Sequence, residues 1–364
     1  MAVNHDAVLK ALRQVQDPEL LQDVVSLGMV KQLRIDGGRV SFLLELTTPA
    51  CPLKGEIEAA AVRAVQGVAG VTDVQIQMGA SVRRGMPAAS AAGAPGTVPL
   101  IPGVKNTIAV ASGKGGVGKT TVAVNLAVAL AKTGAAVGLL DGDIYGPNVP
   151  LMMGATTPPT VEGDKLVPPV AHGVKIISMV FFTKGDDAVI WRGPMLHKAI
   201  LQFLGQVAWG ELDYLVIDLP PGTGDVQLTL SQVIPLTGAV IVTTPQEVSL
   251  LDVRKAIKMF QKVEVPMLGI VENMSGYTCP SCGRQEAIFG RDGGRRLAES
   301  LQLPFLGAVP IGPTMVAAGD TGRPIVMAEP ASPQAQAFTK IAGTLAANIS
   351  LLHYKQPLAA AARA

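Results

Sequence analysis

Residues 113–120 read Gly-Lys-Gly-Gly-Val-Gly-Lys-Thr, a spacing that suits the binding of a nucleoside triphosphate. Glycines let the backbone turn its N–H groups toward phosphate oxygens. Lys119 would reach the β- and γ-phosphates, and the Thr120 hydroxyl would bind Mg²⁺. The segment follows an apolar run and opens a helix, whose positive end favours the anion. The pattern predicts a P-loop, and its expected nucleotide contacts are Gly113, Lys114, Gly115, Gly116, Val117, Gly118, Lys119, Thr120 and Thr121.

Two further apolar runs end in acids. Tyr214-Leu-Val-Ile-Asp218 has the Walker B form, so Asp218 would hold Mg²⁺ through its water shell. Leu139-Leu-Asp141-Gly-Asp143 places two carboxylates after another run; Asp143 could accept a hydrogen bond from water, although Asp and Gly also favour turns. Asn273 follows a third run, and its amide could read a purine edge or serve only as a strand-end residue.

The pair Cys279-Pro-Ser-Cys282 can bring two thiolates onto one metal, but zinc and a 4Fe–4S cluster each take four ligands. The sequence has no second C-x-x-C, and Cys51 is the only other cysteine. The pair is therefore completed by another chain or works as a redox dithiol. A two-fold homodimer would supply four thiolates. Thiolate chemistry alone leaves zinc and iron–sulfur open.

The second loop lysine, Lys114, makes the P-loop resemble the deviant Walker A ATPases, which include the nitrogenase iron protein and the division and partition ATPases. The resemblance implies that Lys114 crosses a homodimer interface to the partner's nucleotide, with a solvated loop lysine as the alternative. It also implies that Asp143 positions the attacking water and that Asn273 reads adenine. Lys114, Lys119 and Asp143 are then the catalytic candidates.

The wider motif set resembles the Mrp/ApbC family of iron–sulfur cluster carriers, through Asp141–Asn148, Trp191-Arg-Gly-Pro194, Asp218–Asp225, Asn273-Met-Ser-Gly and Cys279-x-x-Cys282. The resemblance implies an ATP-hydrolysing homodimer that holds a 4Fe–4S cluster between two Cys279/Cys282 pairs. Scaffold proteins would supply the cluster and apoproteins would receive it. Gly312 departs from the family, where an acid is frequent. The alternatives are a zinc-bridged ATPase scaffold, a division- or partition-type positioning ATPase, and a reductase subunit.

Composition limits the class of protein. Apolar residues make up 48% and charged residues 16% of 364, which indicates a globular chain long enough for two domains. The net charge of +2 argues against a nucleic-acid partner. No apolar run approaches the roughly 20 residues of a membrane span, and the N-terminus lacks a secretory pattern. An odd number of cysteines is no disulfide framework, so a cytoplasmic location is expected.

The chain divides at a stretch rich in Ala, Pro and Gly. We expect a small α/β domain over 1–84, a linker over 85–104, a P-loop ATPase domain over 105–350 and a C-terminal tail over 351–364, frayed at its alanine-rich end, 357–364. Apolar runs predict strands in the ATPase domain at 107–112, 136–141, 175–180, 214–218, 238–243, 267–272 and 304–309. With helices between them, such as 120–132, they predict a doubly wound, mostly parallel sheet.

The small domain reads as helix 7–16, a hairpin of strands 30–35 and 40–46, helix 52–65 and strand 71–78. Asp17-Pro-Glu19 and the segment Thr47–Pro52 resemble the iron–sulfur assembly domain often found in front of P-loop ATPases. Cys51 lies at a predicted helix start, where the helix dipole would favour a thiolate. A buried, inert cysteine is the equal alternative.

Overall fold

The computed structural model describes residues 3–85, 101–143, 146–182, 193–222, 224–279 and 281–361. Most of the expected linker and the Trp191–Arg192 motif lie outside the described residues. The chain forms two compact units, one of Met1–Arg83 with Ala346–Ala364 and the other of Arg84–Leu345. No helix in the described part of the chain is long and apolar enough to cross a membrane.

The first unit packs two helices on a three-stranded sheet. Its elements are α1 (His5–Leu12), β1 (Gln16–Asp17), β2 (Gln22–Asp23), β3 (Val30–Asp36), β4 (Arg39–Leu46), α2 (Lys54–Gln66) and β5 (Asp73–Ala80). β3 and β4 form the expected antiparallel hairpin, in which Gly37 adopts φ +58°, and β5 runs parallel to β4 after the α2 crossover. Val8 and Leu12 of α1 and Ile57 and Ala61 of α2 are buried in its core.

The second unit is larger. Its elements are β6 (Val104–Ser112), α3 (Lys119–Lys132), β7 (Val137–Asp141), α4 (Val149–Met152), β8 (Thr160–Glu162), β9 (Lys165–Val167), β10 (Val170–Ala171), β11 (Val174–Ser178), α5 (Gly193–Gln206), β12 (Leu212–Asp218), α6 (Asp225–Val233), β13 (Gly238–Thr243), α7 (Glu247–Lys262), β14 (Met267–Glu272), β15 (Tyr277–Thr278), β16 (Gln285–Glu286), α8 (Gly293–Ser300), β17 (Phe305–Ala308), α9 (Pro313–Asp320), α10 (Ile325–Ala328) and the part of α11 (Pro333–Ala361) that precedes Ala346.

An eight-stranded sheet organises this unit, in the order β10-β11-β7-β12-β6-β13-β14-β17. Every neighbouring pair is parallel except β10 and β11. All residues of β7 and β13 are buried, as expected when helices cover both faces of a parallel sheet. The predicted doubly wound α/β fold is confirmed.

The C-terminal end of the chain differs from the expected frayed tail. Helix α11 continues to Ala361, and residues from Ala346 onward group with the first unit. Alanine has the highest helix propensity, so an alanine-rich end can extend a helix that packing has already started. The small strands β8–β10 are also additions to the elements expected from apolar runs.

The carboxyl ends of the parallel strands position the chemical groups. β6 leads into the P-loop, β7 ends at Asp141, and β12 ends at Asp218. Asp218 and Asp141 are paired in register on neighbouring strands. Ligands of such sheets bind at this edge, next to the strand where the connections change direction.

Candidate nucleotide and metal-binding site

Glycines shape the P-loop through backbone conformation and close approach. Gly116 and Gly118 adopt φ +80° and +77°, the left-handed region that side chains disfavour. A Cβ on Gly113 would lie 2.4 Å from the backbone carbon of Asp252 in α7. The first glycine is therefore needed for packing against α7, and the later two for the curvature of the loop.

Lys119 is the first residue of α3 and is 6% exposed. Its Nζ donates to Oδ1 of Asp218 at 2.6 Å and lies 3.7 Å from Oδ2 of Asp143. The Thr120 hydroxyl donates to the other oxygen of Asp218 at 2.7 Å. The structure thus brings together the four side chains to which the sequence assigns phosphate, magnesium and water chemistry.

Burial dominates the protonation of both strand-end acids. It raises the pKa of Asp218, against the opposing effect of Lys119 and Thr120. It also raises the pKa of Asp141 to about 8, with the Asp218 charge as a second cause. Ser178 Oγ and the Val149 N–H donate to Asp141 at 3.0 and 3.2 Å. Asp141 therefore supports the loop after β7, while Asp143 and Asp218 are the carboxylates that approach Lys119 of the P-loop.

The donor set suits magnesium. The Thr120 hydroxyl and the Asp218 carboxylate are hard oxygen ligands on one side of the loop, and Mg²⁺ prefers oxygen ligands. The P-loop, Asp143, Asn148 and Pro221 line an open cleft of about 360 Å³. A triphosphate lying in this cleft would meet the N–H groups of the loop and the N-terminus of α3.

Asn273 is buried against the P-loop, whereas a residue that reads a purine would have to face an open site. It is 1% exposed, and its Nδ2 donates to the Val117 carbonyl at 2.9 Å. A Cβ on Gly118 would lie 2.2 Å from that same nitrogen. Oδ1 of Asn273 has no partner in the described part of the chain. In this conformation Asn273 supports the P-loop, and adenine reading stays a prediction.

Lys114 is half-buried near the start of the loop. The Ser112 hydroxyl donates to its carbonyl at 2.9 Å, which fixes its backbone. Its ammonium group forms no ion pair with any described residue. An ammonium group with no ion pair among the described residues could be used in a contact to a second chain, and the dimer role remains a prediction.

The cysteine pair lies on a small hairpin. β15 and β16 pair antiparallel, and Cys279 and Cys282 lie in the connection between them. The Gly283 N–H donates to the Cys279 carbonyl at 2.8 Å, with Gly283 at φ +71°. Cys279 is half-buried and Cys282 is exposed. Hydrogen bonds to the Cys279 sulfur, first from the Cys282 N–H and then from the Ser281 N–H, lower its pKa.

This site offers two thiols from one chain. No group of three or more His, Cys, Asp or Glu side chains among the described residues is placed to hold a metal ion. A lowered pKa favours the thiolate, which is the form that binds metal. Exposure leaves the pair accessible to ligands from another molecule.

Cys51 in the first unit has the opposite character. Burial raises the pKa of its thiol to about 11, and the Glu19 and Asp17 carboxylates raise it further, while a hydrogen bond from the Leu53 N–H opposes them. Helix α2 begins at Lys54, three residues later. Of the two alternatives, the structure therefore favours the buried, inert cysteine over the thiolate, because desolvation outweighs the helix dipole.

Sequence patterning does not single out Ser178 and Glu272, two buried polar residues at strand ends. Ser178 donates to Asp141, and Glu272 accepts three hydrogen bonds around the cysteine hairpin. The sequence signal that could have found them is a polar residue at the end of an apolar run, the same pattern that identified Asp218.

Two family models match the chain. One, described as an NUBPL iron-transfer P-loop NTPase, matches residues 103–346. The other, described as an iron–sulfur cluster assembly protein, matches residues 5–78. Together they account for both units by separate matches.

Curated relatives agree with these matches. The iron–sulfur cluster carrier protein of Deinococcus radiodurans is 51% identical over 349 residues, covering 95% of this chain and 96% of the relative. The protein of the same description from Escherichia coli K12 is 51% identical over 253 residues, covering 69% of each.

Solved structures show the same fold. A nucleotide-binding protein from Archaeoglobus fulgidus, solved with ADP, is 40% identical with a TM-score of 0.57, and the match covers 65% of this chain and 92% of that one. The Pyrococcus furiosus cell division ATPase MinD is 26% identical with a TM-score of 0.51, covering 66% and 98%. The chain belongs to the iron-transfer P-loop NTPase family, and the predicted resemblance to the iron–sulfur cluster carriers is confirmed.

Proposed function

We propose that this chain is an ATP-hydrolysing carrier that binds a 4Fe–4S cluster at a homodimer interface and passes it to apoproteins. The observation that carries the proposal is the exposed hairpin with two thiols, Cys279 and Cys282, in the same unit as a complete P-loop site. One chain supplies half of the ligands that the cluster needs. Two chains related by a two-fold axis supply all four.

The nucleotide chemistry follows from the side chains at the P-loop. Lys119 leaves Asp218 to bind the β- and γ-phosphates. Thr120 and Asp218 would hold Mg²⁺, which would offset phosphate charge. Asp143, 3.7 Å from Nζ of Lys119, accepts a hydrogen bond from the attacking water and orients it toward the γ-phosphate.

Dimer formation joins the two sites. Lys114 extends to the partner's nucleotide, so that closing depends on ATP. The two cysteine hairpins then meet across the axis and share the cluster. Hydrolysis of ATP lets the closed dimer open. The cluster then leaves by exchange of its thiolate ligands for those of the recipient. Exposure of Cys282 suits such an exchange because an incoming thiolate can reach the ligated iron.

Anaerobic reconstitution tests the cluster site. Cys279→Ala and Cys282→Ala should each lose most bound iron and sulfide, with nucleotide binding retained, whereas Cys51→Ala should load as the wild type does. Undiminished iron and sulfide in the first two variants would falsify the site. Zinc in place of iron in protein purified without oxygen would favour the zinc-bridged scaffold.

Sedimentation tests the dimer. The cluster-loaded chain should sediment as a dimer with one 4Fe–4S cluster for two chains. A loaded monomer, or one whole cluster in each chain, would contradict the shared site. Lys114→Ala should weaken ATP-dependent dimer formation, and Lys119→Ala should abolish hydrolysis.

A further inference from the structure

Glu272 is a buried carboxylate that the nucleotide chemistry above does not use. It ends β14, is 0% exposed, and forms no ion pair with any residue in the described ranges. It accepts three hydrogen bonds instead, from Ser275 Oγ at 2.5 Å, the Asp292 N–H at 3.0 Å and the Gly294 N–H at 2.6 Å. An acid at this depth is retained only with such partners.

The three donors bracket the cysteine hairpin. Ser275 precedes Cys279, while Asp292 and Gly294 follow Cys282. The hairpin itself has only two paired positions on each strand. On its N-terminal side, backbone hydrogen bonds join Ser275 to Val309 and Gly276 to Ile311, both at 2.9 Å. The carboxylate of Glu272 therefore holds both ends of the segment that presents the two thiols.

The backbone on both sides of the hairpin needs this support. Asp292, at the N-cap of α8, has φ +61° and makes no capping bond with its own side chain. Met274 has φ +57°, another left-handed residue with a side chain. Such conformations persist where surrounding bonds hold them. Glu272 takes over the capping of α8 and places a negative charge at its N-terminus, where the helix dipole favours it.

Gly294 belongs to the same arrangement. A Cβ at this position would lie 3.1 Å from Cβ of Glu272 and 3.2 Å from its Oε2. The glycine lets its N–H approach the carboxylate to 2.6 Å. Close approach, not a turn, explains this residue.

The next residue along the strand holds the P-loop. The side chain of Asn273 donates to the Val117 carbonyl, and its backbone N–H donates to the Thr243 carbonyl at 2.7 Å. Two consecutive residues at one strand end thus support two different sites. Glu272 supports the cysteine hairpin and Asn273 supports the nucleotide loop.

We infer that Glu272 is a positioning residue for the Cys279/Cys282 metal site. Together with Asn273, it anchors that site and the P-loop to the same strand end. The inference rests on the proposed function, because it assigns metal binding to the two thiols. It adds a residue on which metal affinity depends without contact to the metal.

The test measures two affinities on the full-length, reduced chain without oxygen. Co²⁺ alone is the metal probe, followed by thiolate-to-cobalt absorbance and chelator competition, and ADP is the nucleotide probe. Glu272→Gln should weaken Co²⁺ binding about 10-fold, as loss of outer supporting partners does, and change ADP binding less than about 2-fold. Asn273→Ala should do the reverse.

Glu286→Gln is the matched control, since it removes an exposed ion pair with Arg284 (2.9 Å) from the same hairpin. It should leave both affinities unchanged. If Glu272→Gln loses both affinities together, Glu272→Asp decides: selective loss of Co²⁺ affinity supports the inference, and parallel loss or no change overturns it.

The two proposals fail separately. Wild-type Co²⁺ affinity in Glu272→Gln, with binding lost in Cys279→Ala and Cys282→Ala, overturns the role of Glu272 and leaves the cluster site intact. Wild-type Co²⁺ affinity in the cysteine variants removes the cluster site itself.

Discussion

The buried pair of Lys119 and Asp218 can be tested by a double-mutant cycle on stability. The variants are Lys119→Met, Asp218→Asn and the combination, studied without added nucleotide. Nζ and Oδ1 are 2.6 Å apart, with 6% and 0% of the side chains exposed, so solvent screens this pair little. Lys119→Met leaves the buried Asp218 carboxylate without its cation, whereas Asp218→Asn leaves Lys119 with only the longer contact to Asp143, at 3.7 Å.

The magnitude follows from that burial. Breaking a buried ion pair by removing one member typically destabilises by about 3–5 kcal/mol, which corresponds to a Tm lower by roughly 6–20 °C in a unit of this size. Removing both members leaves neither charge of this pair buried without the other. The double variant should therefore be more stable than either single variant, with a coupling energy at least as large as the larger single effect, about 3–5 kcal/mol.

The destabilisation of one single variant, Lys119→Met, should depend on pH. In Lys119→Met the Asp218 carboxylate has lost its cation, and burial already raises its pKa. A carboxyl with a raised folded-state pKa is stabilised while protonated, and that stability is lost as pH rises through the folded pKa. The destabilisation of Lys119→Met should be smaller at pH 5 than at pH 8.

Hydrogen exchange of the β6 and β12 amides, together with thermal unfolding, measures the effect in the correct unit, since a two-unit chain need not unfold in one step. Magnesium must be absent because it would bind Asp218. Additive single effects, with the double variant as unstable as their sum, would show that the two charges do not stabilise each other.

Three other outcomes are expected. Alkylation at pH 8 should modify Cys279 well before Cys51, because the pKa of the first thiol is lowered and that of the second is raised to about 11; equal rates would contradict this. Gly113→Ala should destabilise by about 1–3 kcal/mol through its clash with the α7 backbone, while Gly115→Ala, with open space at its Cβ, should not; thermal unfolding compares them. Asp141→Asn should gain stability relative to the wild type by a few kcal/mol between pH 5 and pH 8.5. Folded Asp141, with a pKa of about 8 against 3.8 in the unfolded chain, keeps over most of that range a proton that the unfolded chain has lost, so wild-type stability falls as pH rises; a pH-independent difference in Tm would refute the shift.

Local patterns sufficed for the sheet and for the P-loop. Strands of the doubly wound sheet are continuous apolar runs because both faces are covered, so β12 and β13 can be located from residue type alone. The P-loop follows from spacing, because glycine at 116 and 118 is required by backbone conformation.

Properties that depend on tertiary distance could not be predicted. The contact of Asn273 with the Val117 carbonyl joins residues far apart in the chain. The raised pKa of Cys51 depends on how deeply the first unit buries it, which no local pattern specifies. The helical end at Ala361 depends on packing of the preceding turns, whereas its composition alone suggests fraying.

The ion pair at the N-terminus of α3 has a consequence for how the protein binds its nucleotide. Lys119 and Asp218 neutralise one another, so an incoming triphosphate must displace a carboxylate to gain the ammonium. Once released, that carboxylate would face the anionic ligand unless a divalent cation arrives with it. Nucleotide binding thus gives Lys119 a phosphate in place of Asp218, and gives Asp218 a metal ion in place of Lys119. The protein should therefore bind the magnesium complex of ATP in preference to the free nucleotide.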